Sequence, residues 1–148
     1  MKHIAAVIAV FLVLCMPEGI QAAGIQDPYA GSEHIRTHHD SISVNADGSM
    51  HVEEQILYDF SDLYRHGIYR DMPYIKTNDS GKKYIMDFSG VAVRDEHGMS
   101  RAFSEIRKND MIRWKIGNAD KTINGVHEYD LSYTVKGALT YFPGHDEL

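Results

Sequence analysis

The sequence has only one cysteine among its 148 residues, and this residue, Cys15, lies in an apolar stretch near the N-terminus. Beyond that stretch the chain can form no disulfide, no thiolate metal centre and no cysteine nucleophile. The domain that follows must therefore be held together by its hydrophobic core alone, which a domain of this size can supply.

Grouped positive charge is also missing. The chain carries 15 lysines and arginines against 21 aspartates and glutamates, a net charge of -6, and its basic residues form no cluster. Nucleic-acid binding is excluded on this ground, because phosphate contacts require grouped lysine and arginine side chains. The sequence also lacks a second apolar run long enough to cross a bilayer.

The N-terminus has the pattern of an export signal. A basic start is followed by an apolar run over residues 4–16 and by small residues at 22–24. This pattern predicts a signal-peptide helix over residues 1–24 in preference to an uncleaved anchor, because a membrane-spanning helix needs roughly 20 apolar residues. A polar linker over residues 25–34 and one domain over residues 35–148 are predicted to follow.

Apolar residues alternate with polar ones along most of the remaining chain, as they do in strands with one buried face. The clearest series occupies even positions: Met50, Val52, Ile56, Tyr58 and Phe60. Turn residues over 45–48 precede it, so residues 38–60 are predicted to form a β-hairpin. With the later alternating segments, this predicts an all-β fold, an immunoglobulin-like β-sandwich of about seven or eight short antiparallel strands.

Two segments carry residues of the types that bind metal ions. Residues 43–54 nearly match a calcium-binding loop, but such loops lie between helices, whereas both flanks here alternate as strands, so the hairpin is preferred. His38, His39 and Asp40 offer two imidazoles and a carboxylate, yet neighbours along a strand point to opposite faces. The sequence therefore predicts a solvated strand start, no metal site and no cofactor.

Glu54 shares the predicted buried face of the hairpin, where a carboxylate needs a partner. Arg65 and Arg70 follow the strand closely, and Arg70 is the preferred partner. We predict an ion pair between Glu54 and Arg70 that pins the following segment to the sheet, in preference to a catalytic role for Glu54.

The alternation stops between residues 61 and 83, which predicts a long connection, the kind of segment in which binding residues concentrate. The candidate binding loop within it comprises His66, Gly67, Tyr69, Arg70, Asp71 and Pro73.

Two alternative functions remain open for this part of the chain. A hydrolase could use His66 and Asp71, although no serine lies in a recognisable nucleophile turn. A carbohydrate-binding module would need Tyr64, Tyr69 and Tyr74 to be exposed together as a platform for a sugar.

Several segments, taken in order along the chain, are similar to one known family. They lie at residues 47–54, 66–73, 116–121, 127–133 and 137–139, and the first three read DGSMHVEE, HGIYRDMP and IGNADK. In these segments the chain resembles the N-terminal domain of the YciQ-like predicted bacterial membrane proteins, the domain-of-unknown-function family DUF2207. The resemblance extends over residues 33–148.

The resemblance implies an extracytoplasmic β-sandwich in a bacterial envelope, within proteins that continue into transmembrane helices and a cytoplasmic tail. The last four residues, 145–148, match the endoplasmic-reticulum retention motif HDEL. A glycosylation sequon at residues 78–80 would be consistent with passage through that compartment. Because the family motif contains residues 146–148 and continues into a further strand, the resemblance implies instead that the chain is cut short within its domain. In that case the HDEL sequence at the end of the chain arises from the truncation and is not a retention signal.

The family brings no enzymatic activity with it. We therefore expect a non-enzymatic binding, sensing or scaffold module on the extracytoplasmic side of the cytoplasmic membrane. Its partner is expected to be an unknown envelope ligand or protein, and its parent protein is expected to be anchored in the membrane through segments beyond this sequence.

Overall fold

A computed structural model describes residues 28–78, 81–142 and 145–147. The predicted signal peptide lies outside these residues, as do parts of the glycosylation sequon and of the HDEL motif. Within the described residues, no helix has the length and apolar character needed to span a membrane.

Strands and the turns between them make up the described chain. The strands are β1 (His34–Val44), β2 (Met50–Asp59), β3 (Gly67–Pro73), β4 (Ile75–Thr77), β5 (Lys83–Ile85), β6 (Asp87–Arg94), β7 (Phe103–Lys108), β8 (Met111–Gly117), β9 (Val126–Lys136), β10 (Thr140–Phe142) and β11 (His145–Glu147). The first sheet has the order β1-β2-β9-β6 and the second has the order β3-β8-β7. The remaining strands form two separate ribbons, β4-β5 and β10-β11, and all pairs are antiparallel.

The core lies between the two sheets and is lined by alternate residues of their central strands. Its buried members on those strands are Met50, Val52 and Ile56 of β2, Ile112, Trp114 and Ile116 of β8, and Tyr129, Leu131, Tyr133 and Val135 of β9. The ring centroid of Trp114 lies 5.0 Å from that of Tyr133, in an edge-on contact that joins the two sheets. This packing of one sheet on the other confirms the predictions of an all-β fold and of a β-sandwich.

The order of the strands within the sandwich differs from that of an immunoglobulin constant domain. In that fold, the fifth of seven strands lies in the four-stranded sheet and the seventh lies in the three-stranded sheet. Seven of the described strands have six or more residues: β1, β2, β3, β6, β7, β8 and β9. The fifth of them, β7, lies in the three-stranded sheet beside β8. The seventh, β9, lies in the four-stranded sheet between β2 and β6, so these two strands have exchanged places. The tight turn at Asn109 and Asp110, both at positive φ, keeps β7 beside β8 and leaves the central position to β9.

The hairpin predicted over residues 38–60 is confirmed, because β1 and β2 pair from His34 with Asp59 to Val44 with Met50. Its turn contains Gly48 at a φ of 77°, a left-handed conformation that glycine adopts without steric cost. The Asp47 carboxylate accepts a hydrogen bond of 3.0 Å from the backbone N–H of Ser49, which fixes the turn.

The prediction of a long loop over residues 61–83 is wrong, because β3 occupies the part that was expected to be the candidate binding loop. Ile68 and Met72 of β3 are buried and face the core. Arg70 shares their face, so a charged residue stands where the alternation would show an apolar one, and this hides the strand in the sequence. Pro73 is tolerated because it ends a strand at the edge of its sheet.

The first sheet has one strand more than the second, and the inner face of β1 is left uncovered as a result. Ile42 and Val44 lie on this face, opposite Val52 and Met50 of β2. Ile42 is 52% exposed and Val44 is 55% exposed, whereas their two partners on β2 are buried. We call the inner face of β1 from residue 38 to residue 44 the β1 overhang.

Candidate functional site

The buried carboxylate of Glu54, on β2, lies at the centre of a polar group that joins three strands. Arg70, on β3, donates hydrogen bonds from Nε to Glu54 Oε2 at 2.7 Å and from Nη2 to Oε1 at 2.8 Å. The Glu54 side chain is only 2% exposed, so this bidentate ion pair joins the two sheets inside the sandwich. The other candidate partner, Arg65, pairs with Glu33 instead, at 2.8 Å.

Tyr133, on β9, also bonds to this carboxylate, its hydroxyl donating to Glu54 Oε1 at 2.5 Å. Burial raises the pKa of Glu54, but the hydrogen bonds from Arg70 and Tyr133 outweigh it and hold that pKa below its ordinary value of 4.5. Burial and the bond to Glu54 raise the pKa of Tyr133. Glu54 is therefore an anion at neutral pH, fixed in place by two donors from different sheets.

Replacing Tyr133 with phenylalanine tests the contribution of the third bond. The change leaves the ring in the core but removes a donor from a buried anion, so the free energy of unfolding should fall by about 1.5–3 kcal/mol. Urea unfolding at pH 7 measures this difference. The control is Tyr69→Phe, whose ring is largely exposed on β3 and whose change should stay within about 0.5 kcal/mol; equal losses in both variants would contradict the role of Tyr133.

Two residues of the β1 overhang approach the same carboxylate from the solvent side. Asp40 is paired directly with Glu54 across the hairpin, and His38 lies two residues before it on the same face. His38 Nε2 lies 2.9 Å from Asp40 Oδ1 and 3.9 Å from Glu54 Oε2. We call the five residues that meet here the Glu54 cluster: His38, Asp40, Glu54, Arg70 and Tyr133.

The contribution of β1 cannot be predicted from adjacent residues alone, because neighbours along a strand point to opposite faces. His39 does point away from the cluster, into a groove on the outer face of the first sheet beside Gln55. His38 and Asp40, however, are two positions apart and share a face, and the register of the hairpin brings both to Glu54. The spacing of His38 and Asp40, combined with that register, was the signal that could have found the cluster.

The structure does not bring together the two residues of the hydrolase alternative. His66 Nδ1 lies 3.0 Å from the carbonyl oxygen of Lys121. Asp71 lies on the outer face of β3 and accepts hydrogen bonds from Nε and Nη2 of Arg113 at 2.7 Å and 2.6 Å. Each residue is engaged with a different partner, so the histidine–aspartate pair that a hydrolase would need is not assembled.

The tyrosine platform of the carbohydrate-binding alternative is not formed either. Tyr64 and Tyr69 are exposed, but Tyr74 packs against the hydrophobic core. The guanidinium of Arg113 stacks over the Tyr69 ring at 4.8 Å from its centroid, so part of that ring is already covered.

Comparison with known proteins assigns the chain to a family. The family model of the predicted membrane protein (DUF2207) N-terminal domain matches residues 35–148. The chain belongs to the DUF2207 family. No significant match is found among curated proteins or among solved structures.

The resemblance to DUF2207 in the separate motifs is thus confirmed over nearly the whole domain. DUF2207 is described as the N-terminal domain of a predicted membrane protein, and no function is assigned to it. All five residues of the Glu54 cluster and all of the β1 overhang lie within the matched DUF2207 domain. Their function has to be argued from the geometry described above.

Proposed function

We propose that this DUF2207 domain is an exported, non-enzymatic binding module that receives an extended segment of a partner protein at the edge of β1. The observation that carries the proposal is that β1, a strand of 11 residues, pairs with β2 alone among the described strands. The leader-like N-terminus and the description of the family as a membrane protein support a location at the extracytoplasmic face of a membrane.

The other edge strands of the two sheets carry devices that discourage pairing with another chain. β3 ends in Pro73, β6 has a bulge between Ser89 and Ala92, and β7 alternates exposed charges. On β1 the register is interrupted only near its start, between Ile35 and Thr37. Residues 41–44 carry neither charge nor proline, so this end of β1 is the least protected edge of the two larger sheets.

An extended polypeptide fits this edge better than a small molecule does. An edge strand presents a row of backbone N–H and C=O groups, which a second strand matches along its whole length. The β1 overhang adds the exposed side chains of Ile42 and Val44, against which alternate side chains of an incoming strand can pack. We therefore expect the partner segment to be extended and to carry apolar residues at every second position.

The chemistry of the Glu54 cluster also favours binding over catalysis. Arg70 and Tyr133 hold Glu54 as an anion, which is the opposite of the raised pKa that a general acid at neutral pH requires. The cluster instead anchors β2 against β3 and leaves β1 as the outermost, accessible strand.

A photocrosslinking experiment tests this function. A benzoylphenylalanine is placed at Ile42 in the membrane-bound parent protein in cells, and the segment that it captures is mapped. The matched control position is Ile106, which is 49% exposed and also lies on an edge strand, β7. We expect one mapped segment from Ile42 and none from Ile106.

A synthetic peptide of the mapped segment should then bind the purified protein. Ile42→Lys should weaken this binding at least tenfold, whereas Ile106→Lys should leave it within about twofold, because only the former alters the β1 overhang. Capture of a cytoplasmic protein, of a second copy of this chain or of the chain's own N-terminal residues would contradict the proposal. Equal peptide binding by both lysine variants would contradict it as well.

A further inference from the structure

We propose that His38, Asp40 and Glu54 bind a divalent transition-metal ion, for which zinc is the best match. One imidazole nitrogen and two carboxylate oxygens of these residues lie within 4.8 Å of one another. Such a site is separate from the capture of a partner strand, since it uses the polar end of the β1 overhang rather than Ile42 and Val44.

The distances between the ligand atoms are close to those of a tetrahedral site. With metal–ligand bonds of about 2.0–2.1 Å, two ligands of a tetrahedral ion lie roughly 3.3 Å apart. His38 Nε2 is 2.9 Å from Asp40 Oδ1 and 3.9 Å from Glu54 Oε2. The third pair of ligand atoms, on Asp40 and Glu54, lies within 4.8 Å. Side-chain movements of about 1–1.5 Å would complete the site, and both β1 residues have room to move because their side chains are partly exposed.

Glu54 keeps one free position for a metal ion. An ionised carboxylate has about four lone-pair sites. Oε1 accepts from Arg70 Nη2 and from the Tyr133 hydroxyl, whereas Oε2 accepts, among the described residues, from Arg70 Nε alone. The remaining lone pair belongs to Oε2, the oxygen that lies nearest His38 Nε2. Arg70 and Tyr133 thus orient the carboxylate, as hydrogen-bond donors commonly do for the carboxylates that hold metal ions.

The charges and the atom types decide which ion fits. Asp40 and Glu54 bring two negative charges and Arg70 brings one positive charge, so the cluster has an uncompensated negative charge that a cation can offset. An imidazole nitrogen favours zinc and its neighbours over magnesium and calcium, which prefer oxygen ligands alone. Two of the three protein ligands, His38 and Asp40, are partly exposed on β1, which leaves a further position for water, as in open zinc sites.

Isothermal titration of zinc into the purified protein, carrying no histidine tag, tests the site. We expect one zinc ion to bind per chain, and His38→Gln and Asp40→Asn each to weaken binding at least tenfold. His39→Gln is the matched control: it removes a histidine from the adjacent position on the opposite face of β1, and it should leave the affinity within about twofold. Both β1 ligands are partly exposed, so the variants are expected to fold, which far-ultraviolet circular dichroism verifies.

Cobalt gives a second readout, because its visible absorption reports four-coordinate binding and should disappear in His38→Gln but persist in His39→Gln. The proposal is overturned if zinc shows no saturable binding up to about 1 mM. It is also overturned if His38→Gln and Asp40→Asn bind like the unmodified chain, or if His39→Gln loses as much affinity as they do. No partner protein is present in the titration, so its result is independent of the strand-capture experiment.

Discussion

Replacing Arg70 with methionine is expected to lower the free energy of unfolding by about 3–5 kcal/mol at pH 7. Methionine fills much of the space of the arginine stem, but it leaves the Glu54 carboxylate, 2% exposed, with Tyr133 as its remaining donor inside the sandwich. Leaving a buried charge without its counter-charge destabilises the fold far more than losing one contact does, because the buried ion no longer has water around it to stabilise its charge. Urea unfolding of the variant and of the unmodified chain measures the difference.

Arg113 provides a matched control on the neighbouring strand. It also forms a bidentate pair, with Asp71, but its side chain is 48% exposed and that of Asp71 is 39% exposed. Because water screens this pair, Arg113→Met should cost far less stability than Arg70→Met. If the two variants lose equal stability, burial of Glu54 does not explain the effect of Arg70.

The effect of Arg70→Met should also depend on pH in a defined direction. In the unmodified chain the pKa of Glu54 is held below 4.5, so its contribution to stability is complete above that value and is lost as the pH falls through the folded pKa. In the variant the lowering effect of Arg70 is gone, so burial raises the pKa of Glu54. The folded variant then binds a proton at Glu54 more readily than the unfolded chain does, and it should gain stability as the pH falls from 7 towards 4.5. The stability gap should therefore narrow on acidification, and a gap that stays constant would contradict this account.

The second large effect is expected from a pair of glycines that face each other across β3 and β8. Gly67 and Gly117 are direct cross-strand partners, with φ values of 136° and 138°. A Cβ added to Gly117 would lie 1.9 Å from the carbonyl oxygen of His66, and one added to Gly67 would lie 1.9 Å from that of Ile116. Both contacts are with backbone atoms, which cannot rotate away as a flexible side chain can.

Gly117→Ala should therefore cost on the order of 3 kcal/mol or more, combining a strained backbone conformation with an overlap in a packed sheet. Thermal unfolding should show a fall in midpoint of about 10 °C. Gly98→Ala is the control, because Gly98 also has a positive φ, of 72°, but its added Cβ would meet nothing within 4 Å. It should cost about 1–2 kcal/mol, and an equal loss in both variants would show that the close approach of the strands is unimportant.

The parts of the fold that could be predicted from the sequence depend on local properties. The alternation around Val52 and Ile56 and the turn chemistry at Gly48 involve neighbours in the chain, and the hairpin follows from them. The placement of Glu54 on a buried face and its need for a cation follow from the same alternation and from the cost of burying a charge. The arginine that the structure brings to it, Arg70, lies only 16 residues further along the chain.

The features that escaped prediction depend on register between strands or on residues that break a pattern. Strand β3 was hidden because Arg70 occupies an inward position that is normally apolar. The approach of His38 to Glu54 requires the exact pairing of the hairpin, since a shift by one residue would turn His38 to the other face. The contact of Gly67 with Gly117 requires the register of two strands that lie far apart in sequence, which no local pattern records.

The central position of β9 also governs when the domain can fold. β9 is the last of the longer described strands along the chain, yet it lies between β2 and β6, and its Tyr133 bonds to a residue 79 positions earlier in the chain. Bringing such distant segments together costs loop-closure entropy before the contacts between them form, and this cost slows folding. A nascent chain that still lacks β9 has neither the middle of its first sheet nor half of its aromatic core, so folding during synthesis is expected to wait until this strand has emerged.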